Sequence, residues 1–257
     1  MYDLDTRRRA ITLHEGGSSF SEVSRLTGVS RFTIRQWVVS TPAQPRKVAA
    51  CPLKGGDLHR QIHRDDYAYL LGLYLGDGCI SKAARGVYAL RVACCDGWPG
   101  LTDLCDATMR AVMPRNSVCR VQAVGCSQVV SYSKHWPCLF PQHGPGKKHD
   151  RSIVLVPWQR RIVEQYPWEL IRGLIHSDGC RITNWTTKRI GGAVKRYEYP
   201  RYFFTNMSRD IVDLYTGTLD RVGVAWTASQ RRTGAVNVSV AQRESVALMD
   251  QYIGPKY

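Results

Sequence analysis

The sequence has no long hydrophobic run. No stretch approaches 18 consecutive apolar residues, the length at which a membrane-spanning helix is expected. The first residues, MYDLDTRRRA, contain no apolar segment ahead of a cleavage-like site, so a secretory signal is not expected either. These two absences predict a cytoplasmic protein with no membrane-spanning helix. At 44% hydrophobic and 22% charged residues, the 257-residue chain has the composition of a globular protein.

Metal-binding cysteine pairs are also missing. There are nine cysteines, an odd number, and no two of them have C-x-x-C spacing. A structural zinc site and a disulfide framework are therefore not expected. Reduced, mostly buried thiols are the simpler interpretation.

Acidic residues are few compared with basic ones. The chain has 21 Asp and Glu against 36 Lys and Arg, a formal net charge of +15. Residues 1–58 contribute +4 of this charge and residues 59–257 contribute +11. A basic excess of this size predicts a polyanionic partner, with nucleic acid first and an anionic membrane surface second.

Residues 1–40 show the apolar spacing of three short helices. Ser19, with Glu22 three positions later, predicts a helix start, and Thr27-Gly28-Val29 predicts a tight turn before a helix over RFTIRQWVV. The segment SEVSRLTGVSRFTIRQWV resembles the helix-turn-helix of resolvases, transposases and bacterial regulators. The resemblance implies a small all-α DNA-binding domain whose last helix enters the major groove. Its exposed reading set would be Ser30, Arg31, Thr33, Arg35 and Gln36. A plain three-helix bundle with solvated basic residues is the alternative.

Residues 41–66 are rich in proline, glycine and basic residues, which predicts a linker. In it, His59 and His63 have i,i+4 spacing, which suits either a metal site or an exposed helical face.

An internal repeat follows the linker. LLGLYLGDG at 70–78 is matched by IRGLIHSDG at 171–179, which puts Asp77 and Asp178 101 residues apart. The small residues of each copy, at four-residue spacing, share one helical face and predict close packing of two helices; they are Gly72, Gly76, Gly173 and Ser177. Gly78 and Gly179 are expected to end the helices in a left-handed conformation. The two aspartates would then lie side by side, and a divalent cation such as Mg²⁺ would relieve their repulsion.

The two nonapeptides resemble the LAGLIDADG motif of homing endonucleases in its single-chain, two-motif form. The resemblance implies an α+β fold in which two αββαββα repeats, over 67–165 and 166–257, form a saddle on double-stranded DNA. It also implies that Asp77 and Asp178 bind the catalytic metal, and we place Gly76 and Ser177 in the same metal site. The sequence departs from the motif at Tyr74-Leu75 and at Ile175-His176.

Three further residues match catalytic positions of that family. Lys147 and Lys148, in HGPGKKHDRS, match a peripheral basic residue that would stabilise negative charge, although a basic loop touching phosphates is an equal alternative. Asn206 matches, more weakly, an amide that orders water.

Strands within the repeats are expected to supply the surface that contacts DNA bases. Alternation by two predicts that Arg120 shares a face with Gln122, and Arg181 with Thr183. A long glycine-containing hairpin is expected to add further basic contacts, or else to be a solvated charge run. The remaining predicted DNA contacts are Lys82, Lys188, Arg189, Lys195, Arg196 and Arg201.

The sequence thus predicts a monomeric, Mg²⁺-dependent, site-specific double-strand DNA endonuclease. A transcriptional regulator that keeps the scaffold for binding and has lost cleavage is the alternative. An intein and a transposase fit less well, because neither a splicing domain nor a recombinase catalytic context is present.

Overall fold

The computed structural model describes residues 2–39, 62–254 and 256. The chain divides into two compact units, 1–50 and 51–257. Most of the predicted linker, including His59, lies outside the described residues. In the described part, no helix combines the length and the apolar character needed to cross a membrane.

The first unit consists of three short helices around a small core. They are α1 (Leu4–Glu15), α2 (Phe20–Thr27) and α3 (Arg31–Val39). Ala10, Val23, Val29 and Ile34 form the core. The predicted start of α2 is confirmed, because the Ser19 hydroxyl accepts a hydrogen bond from the Glu22 backbone N–H at 3.2 Å. Gly28 ends α2 with φ 69°, in the left-handed region that favours glycine.

The second unit contains two halves that share the element order αββαββα, and the first half has one additional helix at its end. The first half has α4 (Arg64–Leu75), β1 (Gly78–Lys82), β2 (Tyr88–Cys95), α5 (Pro99–Val112), β3 (Val118–Ala123), β4 (Cys126–Ser133), α6 (Trp136–Leu139) and α7 (Pro157–Gln165). The second half has α8 (Pro167–Asp178), β5 (Gly179–Ile190), β6 (Ala193–Asn206), α9 (Arg209–Arg221), β7 (Thr227–Gln230), β8 (Val236–Val240) and α10 (Arg243–Ile253). The predicted α+β fold of two αββαββα repeats is confirmed.

Each half forms its own antiparallel four-stranded sheet. The strand orders, β1-β2-β4-β3 and β5-β6-β8-β7, are equivalent. The registers are equivalent as well, since Gly78 pairs with Val92 and Gly179 pairs with Phe204. The two halves are therefore related by an internal pseudo-symmetry in which residue 78 corresponds to residue 179.

One face of each sheet packs against the helices, and we call it the helix-side face. It carries core residues such as Leu90 and Val92 in the first sheet and Phe204 and Val238 in the second. The opposite face, which we call the free face, carries the alternate residues of every strand. The motif helix α4 is buried at every position from Tyr67 to Leu75, which places this part of it at the centre of the core.

Four features differ from the sequence expectations. Of the eight described cysteines only Cys94 and Cys105 are buried, so the expectation of mostly buried thiols is wrong. Helix α4 begins at Arg64, inside the predicted linker, and helix α7 was not predicted. The prediction of left-handed stops at Gly78 and Gly179 is wrong, since Gly179 is extended with φ −104° and neither glycine has positive φ. Glycine is required for space instead: a Cβ on Gly78 would lie 2.5 Å from Tyr74 Cα, and one on Gly179 would lie 2.7 Å from Ile175 Cα.

Candidate functional site

The predicted small-residue face brings the two motif helices into backbone contact. A Cβ placed on Gly72 would lie 2.7 Å from the Leu170 carbonyl oxygen and 2.8 Å from Gly173 Cα. A Cβ placed on Gly173 would lie 2.9 Å from Gly72 Cα. No side chain fits at either position, so α4 and α8 cross with their main chains touching.

The same face continues to the carboxyl ends of the helices, where the aspartates lie. A Cβ on Gly76 would collide with the Ser177 side chain and would lie 3.3 Å from Asp178 Oδ2. Ser177 donates its hydroxyl hydrogen back to the Gly173 and Leu174 carbonyls, both at 3.0 Å, which keeps the hydroxyl within its own helix. The contact thus sets the separation of the two motif ends.

Asp77 and Asp178 influence each other electrostatically. Burial raises the pKa of Asp77, and the nearby amino groups of Lys148 and Lys256 oppose that change. Burial also raises the pKa of Asp178, to about 6, and the negative charge of Asp77 adds to the increase. Both carboxylates are thus partly desolvated and close enough to repel each other, as the sequence predicted.

Two lysines occupy equivalent positions beside the aspartates. Lys148 Nζ donates to the Tyr74 carbonyl at 2.6 Å, to the Gly78 carbonyl at 2.9 Å and to the Gly76 carbonyl. Lys256 Nζ donates to the Gly179 carbonyl at 2.6 Å and to the Ser177 carbonyl at 3.4 Å. Since residues 76 and 78 correspond to 177 and 179, the two lysines are pseudo-symmetric partners.

Burial of the lysines lowers their basicity. It lowers the pKa of Lys148 to about 8, although the charges of Asp178 and Asp77 favour the protonated form. The pKa of Lys256 is lowered for the same reason. Lys147, the other predicted catalytic lysine, is exposed and lines the neighbouring cavity. Of the two predicted catalytic lysines, Lys148 therefore belongs to the group of side chains beside the aspartates and Lys147 does not. Lys256, which was not predicted, also belongs to that group.

Asn206 is held against Asp178. Its amide nitrogen donates to Asp178 Oδ2 at 2.7 Å, and its amide oxygen accepts the Ser208 backbone N–H at 2.8 Å. The position equivalent to Asn206 in the first half is two residues after Val92, and it holds Cys94. The amide beside the Asp178 carboxylate is therefore replaced by a thiol in the Asp77 half.

The two halves also differ in the space around them. A cavity of about 480 Å³ is lined by residues that include Lys148, Asp178 and Asn206. A smaller cavity of about 90 Å³ is lined by residues that include Asp77, Cys94 and Lys256. The Asp178 half therefore offers more room for a ligand.

His176, a departure from the motif, is a buried residue between the helices. Its Nδ1 lies 2.9 Å from the Tyr69 hydroxyl oxygen, and the Arg172 guanidinium stacks over the Tyr69 ring at 4.6 Å. Burial and the nearby charge of Arg172 lower the pKa of His176 to about 4, so its imidazole is neutral at pH 7.

The donors at the two motif ends suit a hard divalent cation. They are the carboxylates of Asp77 and Asp178 and the backbone carbonyls of Gly76 and Ser177, all of which are oxygen donors. Two carboxylates leave coordination positions for water and phosphate oxygens, an arrangement common for Mg²⁺. Within the described residues, one group of three candidate side-chain ligands occurs elsewhere, with His63, Asp65 and Asp66 at the start of α4.

The residues predicted to contact bases from the strands lie on the helix-side face. Arg120, opposite the core residue Val129, donates to Asp103 at 2.7 Å and to Asp106 at 3.0 Å. Arg181, opposite Tyr202, donates to both carboxylate oxygens of Asp250 on α10 at 2.6 and 2.8 Å.

Gln122, Thr183 and Lys82 share that face by alternation with Arg120, Arg181 and Ile80. Gln122 donates to Asp96 at 2.9 Å. The strand residues alternate between the two faces as expected. The residues that we predicted to face the DNA lie on the face covered by helices, because alternation in the sequence does not show which of the two faces the helices cover. Base contact by these residues stays a prediction. The polar and aromatic side chains of the free faces are Ser81, Arg91, Gln128, Tyr132, Asn184, Thr186, Lys188, Lys195, Tyr197, Tyr199 and Arg201.

The predicted reading set of the first unit is grouped on α3. Ser30 caps the helix, since its hydroxyl accepts the Thr33 backbone N–H at 3.2 Å. Arg31, Arg35 and Gln36 are exposed, and Arg35 stacks over the Phe20 ring at 5.3 Å. These side chains are accessible to a ligand.

Comparison with solved structures identifies the architecture of the second unit. I-DmoI in complex with DNA and Mn has a TM-score of 0.52 and 15% identity, and the alignment covers 76% of this chain and 99% of that one. A single-substitution variant of I-DmoI, with its target DNA and Mg, has a TM-score of 0.51 at 15% identity, with 74% and 97% coverage. The chain has the fold of the LAGLIDADG homing endonucleases. No protein-family model and no curated protein matches the sequence.

Within the LAGLIDADG fold, the sequence motif located the two aspartates but not Lys256. Lys148 follows Asp77 by 71 residues and Lys256 follows Asp178 by 78, so no fixed spacing links them. Their equivalence becomes visible only through the carbonyl groups that they share.

Proposed function

We propose that the protein is a site-specific, divalent-metal-dependent DNA endonuclease that cuts both strands of a duplex. The observation that carries the proposal is the pair of partly desolvated carboxylates of Asp77 and Asp178, which lie close enough at the touching ends of two helices for the charge of Asp77 to raise the pKa of Asp178. Lys148 and Lys256 offset only part of this repulsion and desolvation, since the pKa of Asp178 is still raised to about 6. A divalent cation would stabilise the pair further, which points to metal-assisted chemistry on phosphate.

The residues at the motif ends have different roles in the proposed reaction. Asp77 and Asp178, with the Gly76 and Ser177 carbonyls, would hold the metal, which when bound polarises the phosphate and the attacking water. Lys148 and Lys256 place positive charge beside each carboxylate, where negative charge develops on the phosphate. Asn206 fixes one oxygen of Asp178 and so orients the other.

Structures with the same fold support the metal and the DNA. I-DmoI is described in complex with DNA and Mn, and one of its variants with target DNA and Mg. At 15% identity these structures establish the fold alone, so Mg²⁺ and duplex DNA are assigned to this chain as part of the proposal. With both motifs on one chain, a monomer supplies a complete site.

Duplex recognition would come from two regions. The free faces of the two sheets offer polar and aromatic side chains such as Arg91, Gln128 and Asn184, which suit contacts to base edges in the major groove. In the first unit, α3 presents Arg31, Arg35 and Gln36, which supports a helix-turn-helix that adds base-specific contacts.

Selection from a randomised duplex library tests the proposal. The bound sequence is recovered with the full-length protein in EDTA, then incubated with the protein and Mg²⁺, with EDTA as the control. We expect cuts in both strands at fixed positions within the bound site. A protein that binds its selected site but never nicks it in Mg²⁺, Mn²⁺ or Co²⁺ is not a nuclease.

One observation favours the alternative, a regulator that binds DNA without cutting it. Cys94 occupies the position equivalent to Asn206, so the Asp77 half has no amide equivalent to the one that orients Asp178. If that half is incapable of hydrolysis, the protein either nicks one strand of the duplex or binds it without cutting. Strand-resolved cleavage products distinguish these two outcomes from cleavage of both strands.

A further inference from the structure

Two cysteines of the first sheet lie directly opposite each other on neighbouring strands. Cys95, the last residue of β2, pairs with Cys126, the first residue of β4. Within the described strands, no other register position sets cysteine against cysteine. Each lies an even number of positions from a free-face residue, Arg91 in β2 and Gln128 in β4, so both side chains belong to the free face. The first sheet therefore carries a pair of neighbouring thiols on the face that the helices leave uncovered.

The backbone hydrogen bonds show how closely these two side chains approach. The Asp96 N–H donates to the Gly125 carbonyl at 3.3 Å, which makes residues 96 and 125 a hydrogen-bonded pair of the β2–β4 ladder. On the other side of β2, the Ala93 N–H donates to the Asp77 carbonyl at 3.5 Å, in the same alternation. The cysteines next to Asp96 and Gly125 are thus a non-hydrogen-bonded pair, with Cα atoms about 4.5 Å apart. Disulfides span Cα separations of roughly 4.4–6.8 Å, so the two sulfurs are within bonding reach.

The hairpin of β3 and β4 holds Cys126 in place for such a bond. Ala123 pairs with Cys126 across this hairpin, whose two-residue turn includes Gly125 with φ 73°. Cys126 is therefore paired on both sides, with Ala123 and with Cys95. Joining the two sulfurs needs rotation of side chains and no rearrangement of the main chain.

The exposure of the pair is unusual for cysteines that only fill space. A structural cysteine is ordinarily a buried small apolar residue. Cys94 and Cys105 fit that description, and their thiols are hydrogen-bonded to each other in the core. Cys95 is exposed and Cys126 is half-buried. Because Cys105 has no exposed surface, a dissolved oxidant reaches Cys95 more readily than the buried pair.

The thiol pair belongs to the Asp77 half alone. Counted from the equivalent pairs of the two sheets, Cys95 corresponds to Met207 and its partner to Ala235. The second half therefore has no thiols at these positions. Cys95 also lines the small cavity that contains Asp77 and Lys256. A change in the pair would thus take place beside one of the two motif ends.

We propose that Cys95 and Cys126 are a modification site, which a peroxide oxidises to a reversible cross-strand disulfide. The Cys95 thiolate attacks one peroxide oxygen, the O–O bond breaks, and a sulfenic acid and hydroxide form. The Cys126 thiolate then attacks the sulfenic sulfur, which releases hydroxide and leaves the S–S bond. In sum, two thiols lose two electrons and two protons, and one hydrogen peroxide becomes two water molecules. A small dithiol reverses the reaction through a mixed disulfide.

Peptide mapping of the full-length protein tests the proposed disulfide. The reduced protein is treated with hydrogen peroxide in EDTA, unfolded, alkylated and digested for mass spectrometry. We expect the loss of two alkylatable cysteines per chain, a cross-linked peptide pair containing Cys95 and Cys126, and recovery of both thiols with dithiothreitol. Oxidation that never links these two residues, or that links Cys94 to Cys105 instead, would overturn the proposal.

Single substitutions provide matched controls. Cys95→Ser should abolish the peroxide-dependent disulfide, and Cys126→Ser should leave Cys95 as a sulfenic acid that dimedone traps. Cys119 is an exposed thiol outside the pair, so Cys119→Ser should form the disulfide as the wild type does. A disulfide that persists in Cys95→Ser, or disappears in Cys119→Ser, would show that another pair of thiols is oxidised.

Bound DNA should shield the pair, an expectation that rests on the proposed function because it places the duplex on the free face. At a free concentration of selected duplex about ten times Kd, mass action leaves roughly one protein molecule in eleven unbound, so disulfide formation in EDTA should slow about tenfold. Oxidation of N-acetylcysteine in the same solution controls for peroxide consumed by DNA. Disulfide formation at an unchanged rate would contradict duplex contact at the pair. A protein that forms the disulfide but binds no duplex would refute the proposed function alone, whereas duplex binding without any disulfide would refute the modification site alone.

Discussion

Substituting Gly173 by alanine should destabilise the second unit, although alanine is the better helix former. The new methyl group would collide with the Tyr69 carbonyl oxygen and lie 2.9 Å from Gly72 Cα, and neither backbone atom can move without separating α4 from α8. Overpacking costs about 1–3 kcal/mol or more, and alanine recovers about 1 kcal/mol of helix propensity. With backbone on both sides of the contact we expect a net loss of about 2 kcal/mol, which lowers Tm by roughly 4–8 °C.

The protein contains its own control for this substitution. Gly217 also lies within a helix, α9, but a Cβ there meets nothing within 4 Å. Gly217→Ala should therefore raise stability by about 0.5–1 kcal/mol and raise Tm by roughly 1–4 °C. Thermal unfolding followed by circular dichroism gives both values. If Gly173→Ala is as stable as Gly217→Ala, the helices do not touch, and the account of how the aspartates are brought together is wrong.

Three further predictions concern the charges around the site. Asp178→Asn should stabilise the metal-free protein by on the order of 2–3 kcal/mol in urea unfolding at pH 7.5. The reason is that the folded pKa of Asp178 is raised to about 6, so the wild type loses stability as the pH rises from about 4 to 6. Identical dependence of the unfolding free energy on pH for the wild type and the variant would refute this. Lys148→Met and Lys256→Met should each slow cleavage at least about tenfold with little change in DNA affinity, and unaltered single-turnover rates would show that neither lysine acts on the phosphate. The Arg181 guanidinium lowers the pKa of Asp250, so this carboxylate contributes stability above its unfolded pKa that is lost as pH falls through the lower folded value. Asp250→Asn should lack that acid-induced loss below about pH 4, which pH-dependent thermal unfolding measures.

The sequence predicted the two αββαββα repeats of the second unit, without helix α7, and the close packing of its two motif helices. Glycine and serine at four-residue spacing specify a face with no or very small side chains, and the contact between Gly72 and Gly173 is the direct result. These signals are local in the chain, which is why they could be read.

Features that depend on distant segments were not predictable. The phase of strand alternation places Arg120 and Arg181 on the helix-side face, because their partners Asp106 and Asp250 lie on α5 and α10. Lys256 was missed because its role depends on two carbonyl groups nearly 80 residues earlier in the chain. Gly78 was assigned a turn conformation, whereas its size is needed because the strand starts directly against Tyr74.

Strand-resolved cleavage by the aspartate variants tests the central claim most directly. The selected duplex, labelled on both strands, is incubated in Mg²⁺ with the wild type, Asp77→Asn or Asp178→Asn at protein concentrations that saturate binding. We predict that the wild type cuts both strands and that each variant binds the duplex but fails to cut at least one strand. Cleavage of both strands at the wild-type rate by both variants would contradict it, because the paired carboxylates would then have no part in the reaction.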